Sequence, residues 1–381
     1  MNERVWLQSE SPFVNIVRAA TVGIFATIAL TQCSPGKNEG AEGSVSSEAS
    51  ATAKASSPAQ TERSAGVTVI WESQPASAPI VDLSIGVTEA AQTFIAATQA
   101  DGRLSAFDLD GAKIAETSPN LFTQTLTANH FNLAGANLSA APALGPNNNI
   151  KLALISPEAQ SGGGAELDTI YTAKMLCDGV SQSSDSNSIS FSAISSGSSG
   201  QITQLEINIE NDNATLSKVG DDDIVVSDST SCAQSGPFLV TAEGQRITVF
   251  KNGTVENTFP LPDQVTDIAL VGEQDTFAIL SVLENGELYT STLMTKDPTP
   301  IRVFGGMSTS QPIHINQVAT DNRLSNIDYP NGITVISGRY ADGQHRTSYL
   351  SSKRILTLSG VETGFQKPFA IDLSKFDETA N

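Results

Sequence analysis

The chain has 381 residues, 39% of them hydrophobic and 16% charged, with 15 Phe, 29 Gly and 17 Pro, so it can build a core and must turn often. Its 41 acidic and 21 basic residues give a net charge of -20, which disfavours non-specific attraction to nucleic acid or to an anionic membrane surface. The acidity reads first as solubility in an exposed compartment and second as carboxylates able to collect divalent cations.

In chain order, Arg18 precedes AATVGIFATIAL (Ala19 to Leu30), which has the length of a signal-peptide apolar region and is short for a membrane span. It runs into Leu30-Thr31-Gln32-Cys33-Ser34, which resembles a bacterial lipobox and makes Cys33 the expected lipidated first residue of the mature protein. Gln32 stands where a small residue is usual, and Glu3 and Glu10 precede the apolar stretch. The alternatives are an uncleaved anchor or a wrongly placed start codon. Ser34, in place of an aspartate, favours the outer membrane as the address within the cell envelope, with the side it faces left open. Residues 1–33 therefore read as a lipoprotein-type signal peptide. Residues 34–65 are Ser/Ala-rich and nearly free of large apolar side chains, so they read as a disordered tether. The folded domain is expected over residues 66–381.

From residue 66 onward, short period-two runs such as Val67 to Trp71 and Ile247 to Phe250 alternate with Gly, Asn, Asp and Ser, with no long amphipathic helix. An all-β domain follows. Strand-turn-strand units begin near Thr93, Ile150, Ser188, Pro237, Thr276 and Gly332, at spacings of 57, 38, 49, 39 and 56 residues. Such spacings suit four-stranded propeller blades, and the units predict a six-bladed β-propeller; a β-sandwich is the alternative. Val67 to Trp71 and Pro368 to Leu373 are the expected ring-closing partners. Cys177 and Cys232 either pair, as an exported compartment permits, or remain two buried thiols.

Four places carry a family likeness. Asp82-Leu83-Ser84-Ile85-Gly86-Val87 precedes Gly102-Arg103-Leu104-Ser105-Ala106-Phe107-Asp108-Leu109-Asp110-Gly111; Cys177 follows Met175-Leu176 and precedes Ser199 to Glu206; Cys232 follows; and Tyr329-Pro330-Asn331-Gly332 comes late. In order and spacing, across about residues 80 to 340, these segments resemble motifs of the β-propeller phytases. That resemblance implies a six-bladed, calcium-dependent hydrolase of phytate and other phosphoesters. Calcium takes six to eight oxygens and lowers the pKa of an attacking water, and Lys or Arg must hold the phosphates. The resemblance assigns Asp82, Asp108 and Asp267 as calcium ligands, and leaves the catalytic residue unassigned.

The sequence departs from that pattern at most of its charged positions. Val81 replaces the first aspartate, Thr230 and Ser231 replace a Glu-Gly pair, Asp267-Ile268-Ala269-Leu270 lacks a glutamate, and Gln99-Ala100-Asp101 replaces lysines. A site so depleted leaves calcium under-coordinated, which makes loss of catalysis the expectation. The competing reading is a non-catalytic cell-envelope module that binds a ligand or a protein partner. Asp221, Asp222 and Asp223, with Asp228, form either a new cation site or a solvated turn. His130, His314 and His345 are too scattered for a metal signature. Arg302, Arg323, Arg339, Arg346, Lys353 and Arg354 form either an anion-binding rim or ordinary surface charge.

Overall fold

A computed structural model describes residues 66–361, except 89–91, 134–135, 180, 183–186, 197–199, 211–212, 220–223, 227, 274–275, 295–296, 323–328 and 330–331. Cys33, the signal segment, the tether, Asp221 to Asp223, Arg323 and Pro368 to Leu373 lie outside the described residues.

The described chain is all-β, with antiparallel meanders in a propeller-like arrangement. The first meander comprises Ile80–Val87, Thr93–Gln99, Leu104–Phe107 and Lys113–Glu116. The turn between its second and third strands is set by Asp101-Gly102: Gly102 has φ +80°, and the Asp101 carboxylate accepts from Arg103 N. The second meander runs from Gln124–Thr125 and Asn129–Leu133 through Ala136–Leu144 and Ile150–Ser156 to Ser161–Glu166. A single parallel pairing, Ser161 with Glu116, joins these two meanders into one nine-stranded sheet. The third meander opens with Ala173–Leu176 and continues through Ser188–Ser195, Gln201–Glu210 and Asn213–Lys218. The fourth spans Ser231–Ser235 to Thr254–Pro260, the fifth Val265–Glu273 to Thr299–Phe304, and the sixth His314–Asp321 to His345–Ser351.

The repeat read from sequence largely coincides with these meanders but not with six separate sheets, since the first two share one. Thr93, Ser188 and Thr276 open second strands, whereas Ile150 opens a third strand because Ala136–Leu144 precedes it. The end of the last unit also differs. Ser352–Leu358 is a short helix, with Ser351 capping it by accepting from Arg354 N and with Ile355 and Leu356 buried.

Apolar clusters fill the contacts between consecutive meanders. Phe94, Ala106 and Phe122 meet Ala141 and Ile155 between the first and second. Leu152, Leu154, Phe191 and Ile207 join the second to the third. Phe238 meets Phe277 edge-on, with ring centroids 5.3 Å apart, between the fourth and fifth. Val271, Leu280, Val318 and Ile336 join the fifth to the sixth. Ile85 and Ile95 meet Ile333 and Tyr349 where the sixth returns to the first. Between the third and fourth the apolar contact is reinforced by a Cys177–Cys232 disulfide.

The N-terminal segment ties the last two meanders together. Gly66–Thr68 pairs in parallel with Thr299–Phe304, and Trp71–Glu72 pairs antiparallel with His345–Ser351. The segment Val67 to Trp71 therefore meets these two strands, while Pro368 to Leu373, its expected partner, lies outside the described residues.

Candidate functional site

The first strands of all the meanders stand side by side around the centre, and a succession of hydrogen bonds links them from the first to the sixth. Asp82 Oδ2 accepts from Thr125 N at 2.8 Å. The Gln124 amide reaches Leu176 twice, accepting from its N and donating to its O, both at 2.8 Å. Asp178 N donates to Cys232 O and Gln234 N donates to Asp178 O, beside the disulfide. Ser231 Oγ accepts from Ile268 N and donates to Asp267 Oδ1, while Asp267 Oδ2 accepts from Val318 N at 2.8 Å. Polar side chains thus satisfy main-chain groups that neighbouring inner strands, not paired as a sheet, leave over.

Within this ring lies a cavity of about 170 Å³, lined by every inner segment: Leu83, Ser84 and Ile85, Thr127, Asp178 and Gly179, Ala233 to Ser235, Ala269 and Leu270, and Ala319 to Asn322. Gly179 makes the local geometry workable. Its φ is +95°, and a Cβ there would lie 2.2 Å from Gln234 O, so only glycine lets the chain pass this close to the fourth meander. That passage brings Asp178 to the cavity wall.

Three aspartates share the centre electrostatically. Burial pushes the Asp82 carboxyl well above the usual range; the Thr125 N–H pulls it back, and the Asp267 charge raises it further. Burial likewise raises Asp178, with the charges of Asp267 and Asp82 adding to it. Asp267 is pushed up to about 7 by burial, against hydrogen bonds from Val318, Ser231 and Ile268. Asp178 and Asp267 are half-buried as residues while their carboxyls sit deep in protein, and of the two only Asp178 lines the cavity.

Of the residues singled out from sequence, Asp82 and Asp267 come together here, and Asp178 joins them unforeseen. Its sequence signal is its place directly after Cys177, two residues past the strand Ala173–Leu176. Asp108 does not join this group: its carboxylate accepts from Asp110 N and Ala112 N within its own turn, and its carbonyl accepts from the Tyr349 hydroxyl. Asp228 pairs with Lys174, which lowers its pKa. His130 lies in the second meander, and His314 and His345 lie on different strands of the sixth. Arg346 pairs with Asp342, and Arg354 Nε donates to Gly66 O, so these two basic groups serve local contacts. Among the described residues, no three His, Cys, Asp or Glu side chains gather closely enough to hold a metal ion. Neither a protein-family model nor a curated protein sequence matches the chain.

Proposed function

We propose that this chain is an exported, lipid-anchored propeller of six blades, built on the plan of the β-propeller phytases, whose central cavity binds a small ligand and does not hydrolyse phosphate esters. The blade count is supported by the six meanders, the two that share a sheet being joined through one residue pair. The lipid anchor rests on the lipobox-like Leu30 to Ser34, and the ancestry on the ordered motifs from Asp82 to Gly332.

The observation that carries the functional reading is the charge of the cavity wall. Asp178 and Asp321 line it, and none of the fifteen described lining residues is Lys, Arg or His. A phosphate ester entering this space would meet negative charge with no described cation to oppose it. Calcium does not rescue the arrangement, because the oxygens of Asp82 and Asp267 already face N–H and O–H donors that a metal ion would have to displace. Gln99, where the resembled family has a lysine, is likewise engaged: its Oε1 accepts from Ser77 and Ala78, and its Nε2 donates to Ser105.

The test is phosphate release from phytate by the full chain, with millimolar calcium and with chelator. No turnover is expected in either condition. Calcium-dependent turnover at an ordinary enzymatic rate would restore the hydrolase reading and overturn this one.

A further inference from the structure

We infer that the central cavity takes a small alkylammonium ion, with Asp178 as its counter-ion. This rests on the ligand-binding reading above and names the class of ligand. The three central carboxylates are not equivalent. Asp82 is held by Thr125 N, and Asp267 by Ser231, Ile268 and Val318. Asp178 uses its main chain toward Cys232 and Gln234, and its carboxylate receives no hydrogen bond from any described residue. Of these three it is the acceptor left for a guest, on the wall of a cavity that Asp321 also lines.

The guest's sign and shape follow from its surroundings. Asp82 and Asp267 act electrostatically on Asp178, so the cavity disfavours an anion, while a cation pairs with Asp178 in its ionised form and displaces the bonds of neither neighbour. A divalent metal needs six to eight oxygens, and no cluster of three ligating side chains exists among the described residues. An ammonium group needs only one anion and neutral acceptors for its remaining N–H bonds. Thr320 on the same wall donates its hydroxyl proton to Leu270 O, which leaves its oxygen lone pairs to accept. Leu83, Ile85, Ala233, Ala269 and Ala319 supply apolar surface for a short alkyl body, and the cavity of about 170 Å³ suits a guest of a few carbons.

The experiment titrates the full chain, carrying methyl-labelled Ala, Ile and Leu, with n-butylammonium chloride, n-butanol, sodium butyrate and calcium chloride in turn. Butylammonium is expected to shift the methyl signals of Ile85, Ala233 and Ala319, and to bind about tenfold or more tighter than butanol, as one charge-assisted hydrogen bond implies. Asp178→Asn, which keeps the shape and the main-chain bonds, should remove that advantage while the circular dichroism of the chain is unchanged. Should that variant fail to fold, the ammonium-to-alcohol ratio in the unaltered chain still decides. Equal binding of butanol or butyrate, or an unaffected folded Asp178→Asn, would sink the inference and leave cavity binding standing. Calcium shifting the same methyls and excluding butylammonium would replace the amine with a metal. No shift with any of the four probes would remove both the inference and the cavity-binding reading.

Discussion

Asp82 Oδ2 accepts from the main-chain N–H of Thr125 at 2.8 Å, so a carboxylate of the first inner strand fastens the second. Removing it in Asp82→Ala strands a buried N–H and relieves a buried charge at the same time. The unpaired donor costs about 1–3 kcal/mol, and loss of the carboxyl's own desolvation offsets part of this. A net lowering of the thermal midpoint is expected at pH 5, where the offset is smallest, and a smaller one at pH 8. An unchanged midpoint at pH 5 would show that the clasp contributes nothing.

The pH dependence of stability follows from the same group of aspartates. An unfolded Asp titrates near 3.9, while Asp267 in the fold is pushed up to about 7, and Asp82 and Asp178 are raised as well. The folded chain therefore binds more protons than the unfolded chain between about pH 4 and 7, and stability falls as pH rises through that window. The loss from Asp267 alone is on the order of a few kcal/mol. Urea midpoints measured from pH 5 to pH 8 should decline, and Asp267→Asn should flatten the decline while lowering stability at pH 5, because its amide would point a donor at Val318 N or Ser231. A midpoint that rises with pH contradicts the burial of these carboxyls.

Cys177 and Cys232 are 55 residues apart and close a loop across two meanders. The chain-entropy account assigns such a loop about 4 kcal/mol. Replacing both cysteines by serine should lower unfolding stability by up to that amount, and peptide mapping without reductant should recover the linked pair from the unaltered protein. Free thiols at both positions in protein isolated from cells without reductant would refute the pairing.

Gly179→Ala tests the chain passage beside Gln234. Its positive φ and the 2.2 Å approach to Gln234 O leave no room for a methyl group. A destabilisation of about 1–3 kcal/mol is expected from strain, accompanied by altered signals from Ala233. The substitution should act like a displacement of Asp178, because the two residues are adjacent.

Cys33→Ser tests the address. If the lipobox-like segment directs lipidation, the variant should leave the membrane fraction for the soluble one and fail to incorporate labelled fatty acid. Retention of the variant in the membrane, unlabelled, would instead point to an uncleaved anchor at Ala19 to Leu30.

Much of the architecture was legible because its code is local. Period-two runs punctuated by glycine, such as those flanking Gly102, specify strand and turn from adjacent residues alone. The cysteine pair was legible as an option, and the fold brings the two together. The helix at Ser352–Leu358 was obscured because SSKRIL follows a strand without a break, though Ser351 as a cap and the adjacent apolar pair Ile355 and Leu356 mark it in retrospect. Ile150 misled because the second strand of its meander is the weakly patterned Ala136–Leu144. At the site, Asp82 and Asp267 were reached through resemblance, which also offered Asp108. What separates them is tertiary: Asp108 is consumed by its own turn, whereas Asp178 reaches the centre only because Gly179 and a disulfide carry it there. No linear pattern encodes which carboxylates are already satisfied by a neighbouring strand.

The pairing of Gly66–Thr68 and Trp71–Glu72 with the last two meanders also bears on how the protein is made. These residues leave the ribosome before the rest of the described domain, whereas their partners reach as far as Ser351. Closure therefore has to wait until the chain has been made as far as Ser351, and a chain cut short before His345 leaves Trp71–Glu72 with an exposed edge. Such a product would be open to proteolysis, so the pairing of the N-terminal segment with the last strand doubles as a check that synthesis has run past His345.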